Sequence, residues 1–380
     1  MSDTGMLMQA ADRIEAWFAD TWPVWIERGL DRNGLFYEQF DASGRPDDLA
    51  PRRMRVQGRQ LYSLSRAVAA GYDSAKPVLD RALVSIEAHC WGAVGNQGWI
   101  HLMAPDGTPL DTLRDTYDQA FMLFGLCGAS EAGLPYARVL ADRTLAFIDA
   151  ELLDARDGSY REGAPASLPR RANPHMHLFE AMLAWFAHTG ERQFLDRANR
   201  IAGLFETAFL DRGNGTLTEF FTEDLRPAPT PAGDVVEPGH HFEWSWLLHR
   251  LATLGGRDLL DEAGILHRWA VQHGLDHGLL AVDECDRLGR QIRKTRRIWP
   301  QTELIKSRLA NDEPEIAATV AIAMLDTYLA TDTKGMWIDQ FDHAGMPCDT
   351  VVPASTLYHL VVAFEDLLRV AGRPKRVSSA

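Results

Sequence analysis

Six times along this chain a turn recurs that is built on a glycine and an aromatic or apolar residue. Most copies carry a second polar turn shortly afterwards. The copies read RNGLFYEQFDASG, GNQGWIHLMAPDG, RDGSYREGAPAS, GNGTLTEFFTEDL, DHGLLAVDECDRLG and TKGMWIDQFDHAG. Their glycines are Gly34, Gly98, Gly158, Gly215, Gly278 and Gly335, spaced 57 to 64 residues apart. A period of about sixty residues holds two helices and a short β-hairpin, the mark of an internally repeated architecture. Each unit must bury its apolar face against its neighbours. The whole of residues 1–380 therefore reads as one domain of six repeats.

Between the turns the pattern is helical. Residues 114–128, 173–190, 238–256 and 353–372 are apolar nearly all round, as helices buried on both sides are, and 52–71 belongs with them. Stretches such as 191–210 and 258–273 are more amphipathic. An apolar helix followed by an amphipathic one, six times over, predicts an all-α fold, an (α/α)6 barrel with short β-hairpins between helix pairs. Some 19 to 25 residues after each glycine stands a polar residue: Arg59, Tyr117, His177, His240, Glu303 and His359. An open solenoid would not need polar groups at one phase of its most buried helices, because burying them unpartnered is costly. A closed ring would aim them at one centre, near the helix N-termini at one mouth of the barrel, where anionic or oxyanionic species are favoured.

The net charge of −14, from 53 acidic and 39 basic residues, argues against nucleic acid as a partner. No segment qualifies as membrane-spanning. The four cysteines lack C-x-x-C spacing, and the first twenty residues lack a signal-peptide pattern. Both predict a reduced, cytoplasmic protein with small buried thiols.

His177 with Glu180, and His240 with Glu243, lie at i, i+3, which places imidazole and carboxylate on one helical face. A carboxylate beside an imidazole fixes its tautomer and raises its pKa, which suits acid–base work near neutrality. His359 stands alone in PASTLYHL but shares its phase with His240 and Glu303. Arg59 on an apolar helix calls for an anionic or strongly polar partner. Trp299 and Glu303, with Trp337 and Tyr117, add aromatic faces and acceptors suited to a polyhydroxylated sugar. A metal is the competing reading, from His175, His177, His240, His241 and nearby glutamates. Residues at i, i+2 diverge on a helix, however, and no H-E-x-x-H occurs, so the expectation is no metal. No phosphate loop, dinucleotide fingerprint or nucleophile elbow is present, and no cofactor is expected.

The segments RVQGRQLYSLS, DTYDQAFMLFGL, NPHMHLFEAML, EPGHHFEWSWLL, IWPQTELIKS and VVPASTLYHLVVAFE together resemble the N-acylglucosamine 2-epimerase superfamily. They run from residue 55 to 366. The resemblance implies an (α/α)6 barrel acting without a redox cofactor. PASTLYH and PGHHFEW are most similar to the branch of aldose–ketose isomerases acting on mannose or sulfoquinovose. It implies His240 and His359 as the acid–base pair, Glu243 supporting His240, and His177 assisting ring opening. Arg59, Tyr117 and Asn173 match sugar contacts, and Glu180, Trp299 and Glu303 join the binding set.

The expected activity is interconversion of D-mannose, or a close hexose, with D-fructose through an enediolate, the monosaccharide being the partner. A 2-epimerase, or a sulfoquinovose isomerase, is the alternative within this chemistry. Two further classes remain open: a helical-repeat interaction protein, and a glycoside hydrolase using Glu243 and Glu303.

Overall fold

The computed structural model describes residues 3–92, 97–348 and 350–373. Twelve α-helices lie among them: α1 (Asp3–Arg28), α2 (Met54–Ala69), α3 (Ala75–Cys90), α4 (Thr116–Glu131), α5 (Tyr136–Phe147), α6 (Ala172–Thr189), α7 (Arg192–Leu204), α8 (Pro238–Thr253), α9 (Leu260–His273), α10 (Ile298–Ala310), α11 (Pro314–Asp326) and α12 (Ser355–Val370). The even-numbered helices each touch the next, and α12 returns to α2, so the inner ring is closed. Outside it, α3, α5, α7, α9 and α11 each pack on the inner helix that precedes them. The sixth outer place is taken by α1, which packs on α11 and α12.

This division follows the residues. Every residue of α4 from Thr116 to Ala129 is buried, whereas α7 buries only a stripe of Phe194, Leu195, Ala198, Ile201, Ala202 and Leu204. Each Leu or Phe fully buried in this way contributes about 1.5–3 kcal/mol. Glycine allows the closest inner contact. A Cβ on Gly58 would sit 2.3 Å from the Phe121 carbonyl oxygen, and one on Gly125 2.3 Å from that of Gly58, so α2 and α4 meet backbone to backbone.

Short strands form a second closed belt. The strand leading into each inner helix pairs antiparallel with the hairpin of the next repeat: 52–53 with 102–103, 114–115 with 163–164, 170–171 with 220–221, 235–236 with 285–286, and 296–297 with 340–341. The last, 351–353, pairs with 39–41 and joins the two ends of the chain. No helix among the described residues is long and apolar enough to cross a membrane. Cys90, Cys127 and Cys285 are buried free thiols, but Cys348 is exposed, contrary to the expectation of four buried ones.

Candidate active site

One side chain near the start of each of five inner helices holds the hairpin behind it. Gln57, Gln119 and Gln301 each accept from a backbone N–H and donate to the carbonyl of the same residue, Phe36, Trp99 and Ala281 respectively. His175 and His241 occupy the equivalent places. Their Nε2 atoms accept from Tyr160 N at 3.0 Å and Leu217 N at 3.2 Å, and their Nδ1 atoms donate to the carbonyls of Arg171 and Glu237. Both rings are therefore neutral clamps, with burial pushing His175 down to about 4 and His241 to about 3.

The clamps define the true register of the ring. Two positions beyond them stand Arg59, Phe121, His177, Glu243 and Glu303, and His359 holds the matching place on α12, where Leu357 stands at the clamp position. Tyr117, Asn173, His240 and Trp299 sit higher, on the first turns of their helices. The expected single phase of six is therefore corrected to two levels. A scatter of six residues in glycine spacing hides about 9 Å along a helix at 1.5 Å per residue.

The correction changes the pairing. His240 Nδ1 donates to Glu219 Oε2 at 2.9 Å, so the supporting carboxylate is Glu219 and not Glu243. Glu243 lies one turn deeper, 3.8 Å from His177 Nδ1 on the neighbouring helix α6. His177 Nδ1 does donate to Glu180, at 3.1 Å, and Tyr358 OH donates to the same carboxylate at 2.6 Å. Glu180 thus lies behind His177 and reaches a sugar only through it. His359 Nδ1 donates to Glu303 Oε1 at 2.9 Å, and Lys306 Nζ lies 2.5 Å from Glu303 Oε2.

Around these groups, Arg59 donates to Tyr117 OH at 2.8 Å and stacks over Phe121 at 4.1 Å. Asn173 Nδ2 lies 3.2 Å from His240 Nε2. The Trp299 ring lies 5.2 Å from that of His240 and 5.8 Å from that of His359, so the two histidines flank one indole. Trp337 does not join them; it stacks on Trp25 at 5.2 Å in the core. His177, His240 and His359 thus converge at one mouth, as no helical-repeat interaction surface would require. Glu243 and Glu303 are both buried, and Glu303 is held by His359 and Lys306, so these two do not form a pair of free hydrolytic carboxylates.

The electrostatics split the two histidines. Burial pulls His240 down, but the carboxylates of Glu219 and Glu237 outweigh it and lift the imidazole to about 10. Burial, with the cations Arg59 and Lys306, pushes His359 well below its usual range. Burial likewise lowers His177 to about 4 against the pull of Glu180. Glu243 is pushed well above the usual carboxylate range by burial and by Glu303 beside it. Near neutral pH this leaves an imidazolium at His240 and neutral imidazoles at His359 and His177, the separation that acid–base chemistry uses. Asn173 Oδ1 has no partner as placed. Turning that amide would let it accept from a protonated His240 Nε2.

Ligand atoms of His177, Glu180 and Glu243 lie within 4.8 Å of one another, as do those of His101, Asp115 and Asp118. Neither set fits a metal well. The Nδ1 proton of His177 is committed to Glu180, and Arg55 already donates to Asp118 at 3.0 Å. A cavity of about 530 Å³ opens at the opposite mouth, among the C-terminal halves of the inner helices, with Glu180 in its wall.

The buried histidines make stability depend on pH. The folded forms of His175, His177 and His241 exclude a proton that the unfolded chain accepts near 6.5. Their contribution is complete above that pH and is lost as pH falls toward about 4. Three such groups contribute a slope of up to about 4 kcal/mol per pH unit, opposed in part by Glu243, whose buried carboxyl keeps a proton that the unfolded chain gives up above about 4.5. The melting temperature should therefore fall steadily from pH 6.5 to 4.5 in differential scanning calorimetry, and a flat trace would contradict these protonation states. His240 works in the other direction: its contribution is complete below 6.5 and lost as pH climbs through about 10.

A family model described as N-acylglucosamine 2-epimerase matches residues 34–363. The chain is 33% identical to a mannose-6-phosphate isomerase of Rhizobium meliloti (strain 1021), over 94% of this chain and 96% of that one. It is 27% identical to a D-mannose isomerase of Thermobifida fusca, over 65% and 67% of the two chains. A solved cellobiose 2-epimerase from Spirochaeta thermophila DSM 6192 superposes with a TM-score of 0.85 at 22% identity, covering 96% and 97%. A crystal structure of D-mannose isomerase gives 0.82 at 20%, with the same coverage, and both show the shared barrel.

Proposed function

Since the chain belongs to the N-acylglucosamine 2-epimerase family, we propose that it is a cytoplasmic aldose–ketose isomerase that interconverts D-mannose and D-fructose within one catalytic domain. The observation that carries this reading is the pair of histidines flanking Trp299 in opposite protonation states. Once the pyranose ring has opened, with His177 assisting, His359 Nε2 takes the proton from C2. The C–H electron pair becomes the C1–C2 double bond of an enediolate, and the C1 oxygen takes a proton from His240. Arg59 lies where it stabilises the developing negative charge, an effect usually among the largest available. Return of the proton from His359 to C1, as the C2 hydroxyl proton passes to the now neutral His240, completes the ketose and restores both histidines.

The substrate in this reading is an unphosphorylated hexose. Four arginines at the starts of the inner helices already have carboxylates: Arg53 has Glu38, Arg55 has Asp118, Arg171 has Glu162, and Arg297 has Asp283 and Glu237. None of these four offers the unshared guanidinium group that a phosphate dianion wants.

The test is incubation with mannose and with mannose 6-phosphate in deuterated water, read by NMR. Fructose labelled at C1 is the expected product from mannose, because the proton passes through a base that exchanges with solvent. Partial labelling means direct return of the same proton by one histidine and leaves the reading intact. Glucose with deuterium at C2 as the principal early product would make the chain a 2-epimerase. Faster turnover of the phosphate ester would overturn the neutral-substrate assignment.

A further inference from the structure

We infer that Lys306 is a positioning residue that acts through Glu303 to keep the His359 proton on Nδ1 and its Nε2 lone pair free for the substrate. The inference rests on the reading of His359 as the base.

Lys306 follows Glu303 by one turn of α10, and its side chain is 0% exposed. Its ammonium lies 4.0 Å over the Trp246 ring. Trp246 in turn lines the cavity at the far mouth and donates its Nε1 to Asp366 at 2.8 Å. A lysine held this way loses its hydration, a cost of several kcal/mol unless carboxylates compensate. Three do: Glu303 on its own helix, Glu243 on α8 and Glu180 on α6. Glu303 lies between the ammonium and His359, so Lys306 reaches the histidines only through that carboxylate.

Its effect runs through Glu303, which stands between two groups. One oxygen accepts from His359 Nδ1 and the other meets the ammonium. Were Glu303 to take up a proton, it would become a donor. The His359 ring would then carry its proton on Nε2 and present its lone pair to Glu303 instead of to C2. Burial favours that protonated form, and the Lys306 charge opposes it. Other charged or titratable groups facing His359 and Glu303 are Arg59, His177, Glu180, Glu243 and Tyr358, and none of them is in ion-pair contact with Glu303. The wrong tautomer is expensive: in a serine-protease triad, losing the carboxylate that fixes the histidine costs about 10⁴ in kcat.

The experiment uses the full chain and Lys306→Met, which keeps the length and removes the charge, with Lys306→Gln as a second variant should the first fold poorly. In the wild type, ¹⁵N NMR should show His359 as the Nδ1–H tautomer; the Nε2–H form overturns the proposal outright. In the variant, kcat at pH 7 should fall about 100-fold with KM within about threefold. Turnover should then recover as pH rises and Glu303 ionises again, moving the acid limb of the pH profile up by at least about one unit. A loss that is uniform across pH would mean a packing role only, and turnover within about threefold of wild type would mean none. If the wild type isomerises no hexose, the functional reading fails while the ¹⁵N tautomer still decides the role of Lys306.

Discussion

His359→Ala and His240→Ala should each lower kcat/KM by about 10² to 10⁴-fold while leaving the helical circular dichroism unchanged, because each removes one of the two groups that move protons. Their pH signatures separate them. In the wild type the acid limb reports His359, which must be neutral to accept a proton and which burial, Arg59 and Lys306 hold well below its usual range. The alkaline limb reports His240, which must keep its proton and does so until about pH 10. A wide plateau between the two limbs follows. Removing His359 should abolish the acid limb, and removing His240 the alkaline one, in whatever activity remains. Either variant retaining activity within about threefold of wild type would remove that histidine from the mechanism. Loss of the helical signal would instead point to a structural role in the ring.

How far this site is visible in the residues alone depends on which part of the repeat one follows. The glycine turns and the apolar helices reveal the sixfold ring, because turn chemistry and all-round burial are local properties. They also bring out Arg59, His177, Glu303 and His359, whose charge or polarity on an otherwise apolar helix calls for explanation. Register is another matter. It is set by the clamps at Gln57, Gln119, His175, His241 and Gln301, which are defined by hydrogen bonds to hairpins in three dimensions. Without them His240 looks level with His177, and Glu243 looks like its partner. Lys306 and Tyr358 are hidden for a related reason: each sits one turn or one residue from a conspicuous group and reads as an ordinary helix residue. Glu219 did leave a trace. Four residues after the glycine, Glu38, Glu162 and Glu219 recur in the first, third and fourth copies. In the first and third, the partner is the arginine capping the next inner helix, Arg53 or Arg171. In the fourth copy that capping position is Glu237, so Glu219 has no arginine and turns to His240.

That substitution of partners gives the second large effect. Glu219→Gln keeps an oxygen able to accept from His240 Nδ1 but removes the charge that overcomes burial. Glu237 and Glu243 remain, but Glu219 is the first-ranked of the carboxylates lifting this imidazole and the only one hydrogen-bonded to it. The imidazole should fall from about 10 toward its ordinary 6.5, each unit lost being worth about 1.4 kcal/mol between the protonation states. At pH 8 the ring would then be mostly neutral, and kcat/KM should drop about 100-fold for want of the acid. The alkaline limb should move below about pH 7, with part of the activity returning as the pH is lowered toward 6. Glu243→Gln serves as the contrast: whatever it does to the rate, it should leave the alkaline limb close to 10, because Glu243 contributes less than Glu219 or Glu237 and the His240 Nδ1 hydrogen bond goes to Glu219. A pH profile in which Glu219→Gln keeps its alkaline limb near 10 while Glu243→Gln shifts it would return the supporting role to Glu243 and undo the two-level register on which this assignment stands.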